Sequence, residues 1–195
     1  HQMRQFFLFP AFLLASRVSA VTDGAAISEY IAQNGIVYTS SDYPMVIYEN
    51  KYSYLVTPAS SDKYTYEKAQ LQELMARLEL SWEYFLTTTG RSPAGVMVIK
   101  DANGNQLPFK PTIGIVPKHC GAACGMLGAG SVETDLHYMD VTYERVINGW
   151  ETRGLIEYEF GRNFWYYDGR YQKDSGHWFH MAQVFATVMG YLSGV

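Results

Sequence analysis

The clearest period in the chain runs from Tyr66 to Leu86. Leu71, Leu74, Met75, Leu78, Trp82 and Phe85 recur at helical spacing, and Glu67, Lys68, Glu73, Arg77 and Glu79 fill other positions. The spacing predicts a helix over 66–86, ended by Gly90 and Pro93. Upstream, "GIVYT" (35–39) and "PMVIYENKYSYLVTP" (44–58) are rich in Val, Ile and Tyr; the second reads as a hairpin turning near Asn50. Residues 21–34 predict a short helix closed by Gly35. Downstream, "AGVMVIKD" (94–101) predicts a strand, "NGNQ" (103–106) a turn and "TIGIVP" (112–117) a second strand. Two apolar helical patterns follow. The first, 150–167, places Leu155, Ile156, Phe160, Phe164 and Tyr167 on one face. The second covers 177–195 and reaches Val195 with no polar tail, so the chain either ends on a buried helix or continues beyond. Between the second strand and these helices, 118–135 is glycine-rich, which fits an irregular edge strand or a close backbone approach. Residues 137–149 show no clear period.

The first twenty residues follow another logic. Arg4 is a short positive region, "FFLFPAFLLA" (6–15) is an apolar core, and "VSA" (18–20) offers small residues for signal peptidase. This pattern predicts a signal peptide over 1–20, with Met3 as the start, and a secreted, extracellular protein. The apolar run is too short to span a bilayer stably, so no membrane span is expected in the mature chain. The polar break "ASSDK" (59–63) divides a β-rich segment, 21–62, from the remainder, 63–195.

Composition narrows the function classes. At 195 residues and 48% hydrophobic, the chain is long enough for one globular domain. Its formal charge is -4, and loss of residues 1–20 removes Arg4 and Arg17, leaving -6. No basic stripe exists, so nucleic acid is excluded as an expected partner. The glycine-rich segment carries neither a Gly-Lys-Ser/Thr phosphate loop nor the dinucleotide fingerprint. Cys120 and Cys124 are the only cysteines. Export permits a disulfide between them, which would close a small loop and pin a local turn.

The chemistry concentrates in "LIEYEFGRNFWYY" (155–167). Glu159, Gly161 and Asn163-Phe164 lie where a zinc-peptidase helix carries its Glu, Gly and Asn-Phe. The histidine positions flanking the Glu hold Tyr158 and Arg162. In a His-Glu-x-x-His helix the i, i+4 imidazoles bind zinc from one face and the Glu is general base for the metal-bound water. Over residues 63–195 the chain resembles the zincin superfamily of metallopeptidases, in its gluzincin-like form, as a degenerate member lacking both histidines. The resemblance implies an α+β fold with a zincin-like core: helix, small mixed sheet, motif helix and following helix, preceded by a small β-rich piece. Such members take a third ligand, a Glu, from the later helix; the matching region, 181–186, offers Gln183 and no acid.

The resemblance implies a peptidase relative without zinc. Arginine cannot bind a cation, so Arg162 is expected to stand in for the metal by pairing with Glu159. The plainer reading is a surface i, i+3 pair. With its ligands gone, such a protein would keep a peptide- or glycan-binding cleft, with Tyr158, Arg162 and Trp165 as binding residues, or a structural role. No cofactor is expected on this reading. A second reading keeps an active hydrolase, with Glu159 as base and zinc on His177 and His180, which share a face at i, i+3. A third is a secreted interaction module unrelated to zincins. Less distinctive sets are His119, Cys120, Cys124 and His137 for a structural metal, Cys120 with His119 for nucleophilic chemistry, and the acid pairs Glu133–Asp135 and Glu157–Glu159.

Overall fold

The computed structural model describes residues 19–32, 35–59, 68–93, 98–116, 124–125, 131–135, 155–164, 184–185 and 187–188. Within them the fold mixes one eight-stranded sheet with few helices. The strands are β1 (Ala25–Ile31), β2 (Val37–Thr39), β3 (Met45–Glu49), β4 (Tyr54–Pro58), β5 (Val98–Asp101), β6 (Thr112–Val116), β7 (Cys124–Gly125) and β8 (Ser131–Asp135). The helices with defined bounds are α1 (Lys68–Thr89) and α2 (Leu155–Asn163).

The sheet order is β2-β1-β3-β4-β6-β8-β7, with β5 on the opposite side of β1. Pairing is antiparallel from β5 through β4, parallel across β4–β6 and β6–β8, and antiparallel again at the β7 edge. Every residue of β4 and β6 is buried, as parallel strands covered on both faces require. Alternation then sorts their side chains. Leu55, Ile113 and Ile115 face a cluster with Leu74, Met75, Leu78, Trp82 and Phe85 of α1. Tyr54, Val56 and Val116 face the opposite cluster, with Ile27, Tyr30, Met45, Ile47 and Ile99.

Helix α1 confirms the period seen over 66–86. It stops as its sequence predicts, with Gly90 at φ 66 and its amide donating to Leu86 O at 2.9 Å, a left-handed cap that costs glycine little. The β3–β4 hairpin also turns where expected. Asn50 is 3% exposed. Its Oδ1 accepts from the amides of Tyr52 and Ser53 and from Ser53 Oγ, and its Nδ2 donates to Met75 O at 2.7 Å. One amide thus shapes the turn and fastens it to α1.

Residues 21–34 depart from the expected helix: Ala25–Ile31 is strand β1. Ile27 and Tyr30 are buried three apart, a spacing that imitates a helix face. The cause is a register shift between Ile27 and Glu29 against β5, a bulge that interrupts the two-residue period. The sheet also curls. Three strand spacings separate β1 from β6, about 14 Å on a flat sheet, yet a Cβ on Gly114 of β6 would lie 2.2 Å from Tyr30 Oη. The first strands therefore fold over the central ones, and Gly114 leaves room for the Tyr30 ring.

The polar break at 59–63 falls between β4 and α1, and the sheet runs across it: β4 pairs with β6, and β5 returns to β1. The helix expected over 150–167 is seen as α2 over Leu155–Asn163. Of the expected 177–195 helix, residues 184, 185, 187 and 188 are described, all helical. Residues 137–149 lie outside the described set. Among the described residues, no helix is long and apolar enough to cross a membrane.

Candidate functional site around the Glu159 helix

Helix α2 packs against α1, β7 and β8. Its anchor is Phe164, just beyond the last helical residue and 2% exposed. The Phe164 ring meets Trp82 edge-on with centroids 4.7 Å apart and Phe85 at 5.2 Å. Such aromatic pairs add to area burial, and they set the rotation of α2 against α1. Asn163, fully buried, donates from Nδ2 to Glu159 O at 3.2 Å, which ties its side chain back to the preceding turn of the helix. The Asn-Phe pair that completes the sequence motif therefore holds the helix in place.

That rotation decides what the other positions meet. Glu159, Gly161, Asn163 and Phe164 are buried, whereas Tyr158 and Arg162, one turn apart, are partly open. The positions that hold histidines in a zinc helix thus share the accessible face of α2. Arg162 Nη1 lies 3.2 Å from Glu159 Oε2, with side-chain exposures of 20% and 6%. The expectation of a Glu159–Arg162 pair is met. The plainer reading, a solvated surface pair, is corrected by the burial of Glu159.

The electrostatics follow from this pairing. Burial raises the Tyr158 phenol above its ordinary value, the Glu159 charge raises it further, and Arg162 offsets part of the rise. Tyr158 is a hydroxyl donor at neutral pH and not a base. Glu159 is engaged by a guanidinium through Oε2. Arg162 keeps further N–H donors beyond the one on Glu159, which suits a carboxylate or carbonyl ligand on the open face. The donor set at 158 and 162 does not fit zinc, because a guanidinium cannot coordinate a cation and repels one.

The remaining sequence candidates are not brought to this site by the described residues. Trp165, His177, His180, His119, His137 and Cys120 lie outside them, as does the Cys120–Cys124 pairing. Cys124 opens β7, and Glu133 and Asp135 belong to β8, with Cys124 opposite Glu133 in register. Among the described residues, no group of three His, Cys, Asp or Glu side chains could hold a metal ion.

Sequence reasoning also missed two features. Glu79 is buried on α1 and takes hydrogen bonds from Ser19 and Lys51. A cavity of about 360 Å³ is lined by Ile27, Ile47 and Leu107 together with Asp23, Glu49 and Asp101. Both join segments distant in sequence, and no local motif marks either.

No family model, curated protein or solved structure matches the chain.

Proposed function

We propose that the chain is an exported, zincin-like protein that has lost zinc-dependent peptidase chemistry and retains a peptide- or glycan-binding face. The observation that carries this is the buried Glu159 held by Arg162. The carboxylate that would serve as general base is neutralised by a residue standing where a metal ligand belongs. The surroundings favour the same ancestry. The long helix α1 precedes strands β5–β8, and α2 lies against β7, a short antiparallel strand at the end of the described strand order. A sheet edge beside a partly open helix face can receive an extended peptide by strand addition. The link from architecture to ancestry is an analogy of element order plus one degenerate motif. Tyr158 and Arg162 supply hydrogen-bond donors on that face, and Trp165 is the adjacent aromatic in sequence.

The test is metal content and hydrolysis by the purified chain, beside Tyr158→His/Arg162→His. The wild type is expected to hold well under one zinc per chain and to show no chelator-sensitive peptide cleavage. The double variant restores two imidazoles at i, i+4 and should bind zinc at least tenfold more tightly than wild type. Stoichiometric zinc in the wild type, lost in His177→Ala/His180→Ala, would overturn the reading in favour of an active hydrolase with a relocated site.

A further inference from the structure

Glu79 is a buried carboxylate on α1. It is 3% exposed, next to the core residue Leu78 and three positions before the core residue Trp82 in α1. Its oxygens accept from Ser19 N at 2.9 Å, from Ser19 Oγ and from Lys51 N at 3.1 Å. Ser19 Oγ also accepts from Lys51 N at 3.0 Å. The next residues are fixed as well. Val21 packs against the α1 cluster, Thr22 N donates to Glu49 O at 3.1 Å, and Glu49 N donates to Thr22 Oγ1 at 2.9 Å. Residues 19–22 therefore form a strap from α1 to the β3–β4 hairpin.

Ser19 and Ala20, the last two residues of the processing sequence, lie inside this strap. A cut after Ala20 hydrolyses the Ala20–Val21 amide, giving a carboxylate on the released peptide and an α-ammonium on Val21. It also removes both Ser19 donors, leaving Glu79 with the Lys51 amide. A carboxylate that has lost these donors favours a cation brought within reach. Two residues of chain span at most about 7 Å, so the new ammonium forms within reach of the place Ser19 vacates. The other cation nearby, Lys51, acts on Glu79 at longer range, its Nζ lying 3.9 Å from Glu83 Oε1 and over the Tyr52 ring.

We propose that processing after Ala20 exchanges the Ser19 clasp for an ion pair between the Val21 α-ammonium and Glu79, which locks the mature N-terminus onto α1. The inference rests on the reading of this chain as exported, and it is independent of the Glu159 site. The uncut chain satisfies Glu79 with neutral donors; the cut chain satisfies it with a charge that only processing creates. An acetyl group on Val21 removes that charge, and an extension or miscut moves it away from Glu79.

The experiment secretes the full chain from a eukaryotic host and determines its N-terminus. Thermal unfolding is then compared for the product with a free amine and after Nα-acetylation, each with Glu79 and with Glu79→Gln. The expected N-terminus is Val21. Acetylation is expected to lower Tm by about 4–8 °C with Glu79 present and to change it little in Glu79→Gln. An N-terminus that retains Ser19 overturns the proposal at the processing step. Equal acetylation effects in both backgrounds overturn the ion pair while leaving export intact. The Val21 amine of the unmodified product should also titrate above the ordinary α-amino value of about 7.7–8.0. An ordinary value overturns the pair without need of the variant.

Discussion

Replacing Arg162 by Met tests the central pair directly. Methionine keeps the length and the apolar stem of the side chain and removes the charge. Glu159, 4% exposed, then loses the guanidinium 3.2 Å from Oε2. Removing one partner of a fully buried ion pair costs about 3–5 kcal/mol. Arg162 is one-fifth exposed, so solvent screens part of that, and about 2 kcal/mol is the expected loss. For a chain of this length it corresponds to a fall of about 4–8 °C in Tm. Glu159→Gln alone should cost less, because Gln still fits the space and a neutral amide needs no counter-charge. In the double variant the loss from Arg162→Met should shrink by at least about 1 kcal/mol, the coupling expected for groups in contact. Urea unfolding followed by tryptophan fluorescence is suited to this, since Trp82 touches Phe164 at the end of the same helix. A cost below about 0.5 kcal/mol with no coupling is what a solvated i, i+3 pair gives, and that result would refute the argument that Glu159 is neutralised within the fold.

Four further outcomes follow from the packing and titration. Gly114→Ala puts a Cβ 2.7 Å from Tyr30 Cζ and should destabilise by about 1–3 kcal/mol; unchanged urea midpoints would contradict the close approach. Phe164→Ala removes a ring packed on Trp82 and Phe85 and should cost about 3–5 kcal/mol, with a shift in tryptophan emission. Asn50→Ala leaves Met75 O and three donors of the turn without their partner, for a loss of about 2–3 kcal/mol, measurable by thermal unfolding. In the uncut chain burial pushes Glu79 upward, but the Ser19 hydroxyl, the Ser19 and Lys51 amides and the Lys51 charge outweigh it and hold the carboxyl below its ordinary 4.5. The depressed value means its stabilisation is present above pH 4.5 and is lost as pH falls through the folded value. Urea midpoints measured down to pH 3 should therefore fall less steeply in Glu79→Gln, and parallel profiles would exclude this role.

Local patterns were legible wherever local forces decide. The α1 period, its glycine cap and the Asn50 turn each depend on residues within a few positions, and each stands where the sequence puts it. Strand β1 was not legible, because its identity depends on pairing with β5 and its bulge hides the two-residue period. The candidate site divides in the same way. The i, i+3 relation of Glu159 and Arg162 is a property of any helix. The burial of Glu159 comes from how Phe164 seats α2 on Trp82 and Phe85, which no spacing within α2 encodes. The Ser19–Glu79 clasp spans sixty positions, and its Ser lies in a segment whose composition points to removal.

The pairing of β1 with β5 also sets a timetable for the chain. Ile27 stands opposite Asp101 in that ladder, so 74 residues of synthesis separate the two sides. At about 5–20 residues per second, the first strand waits roughly 4–15 s for its partner. Throughout that interval Ile27 and Tyr30 have no finished sheet to enter. A chain threaded through a translocation pore from its N-terminus would spend that time as a chaperone client. Its β1–β5 ladder closes late, once residues near 101 have emerged, whatever the speed at which α1 forms.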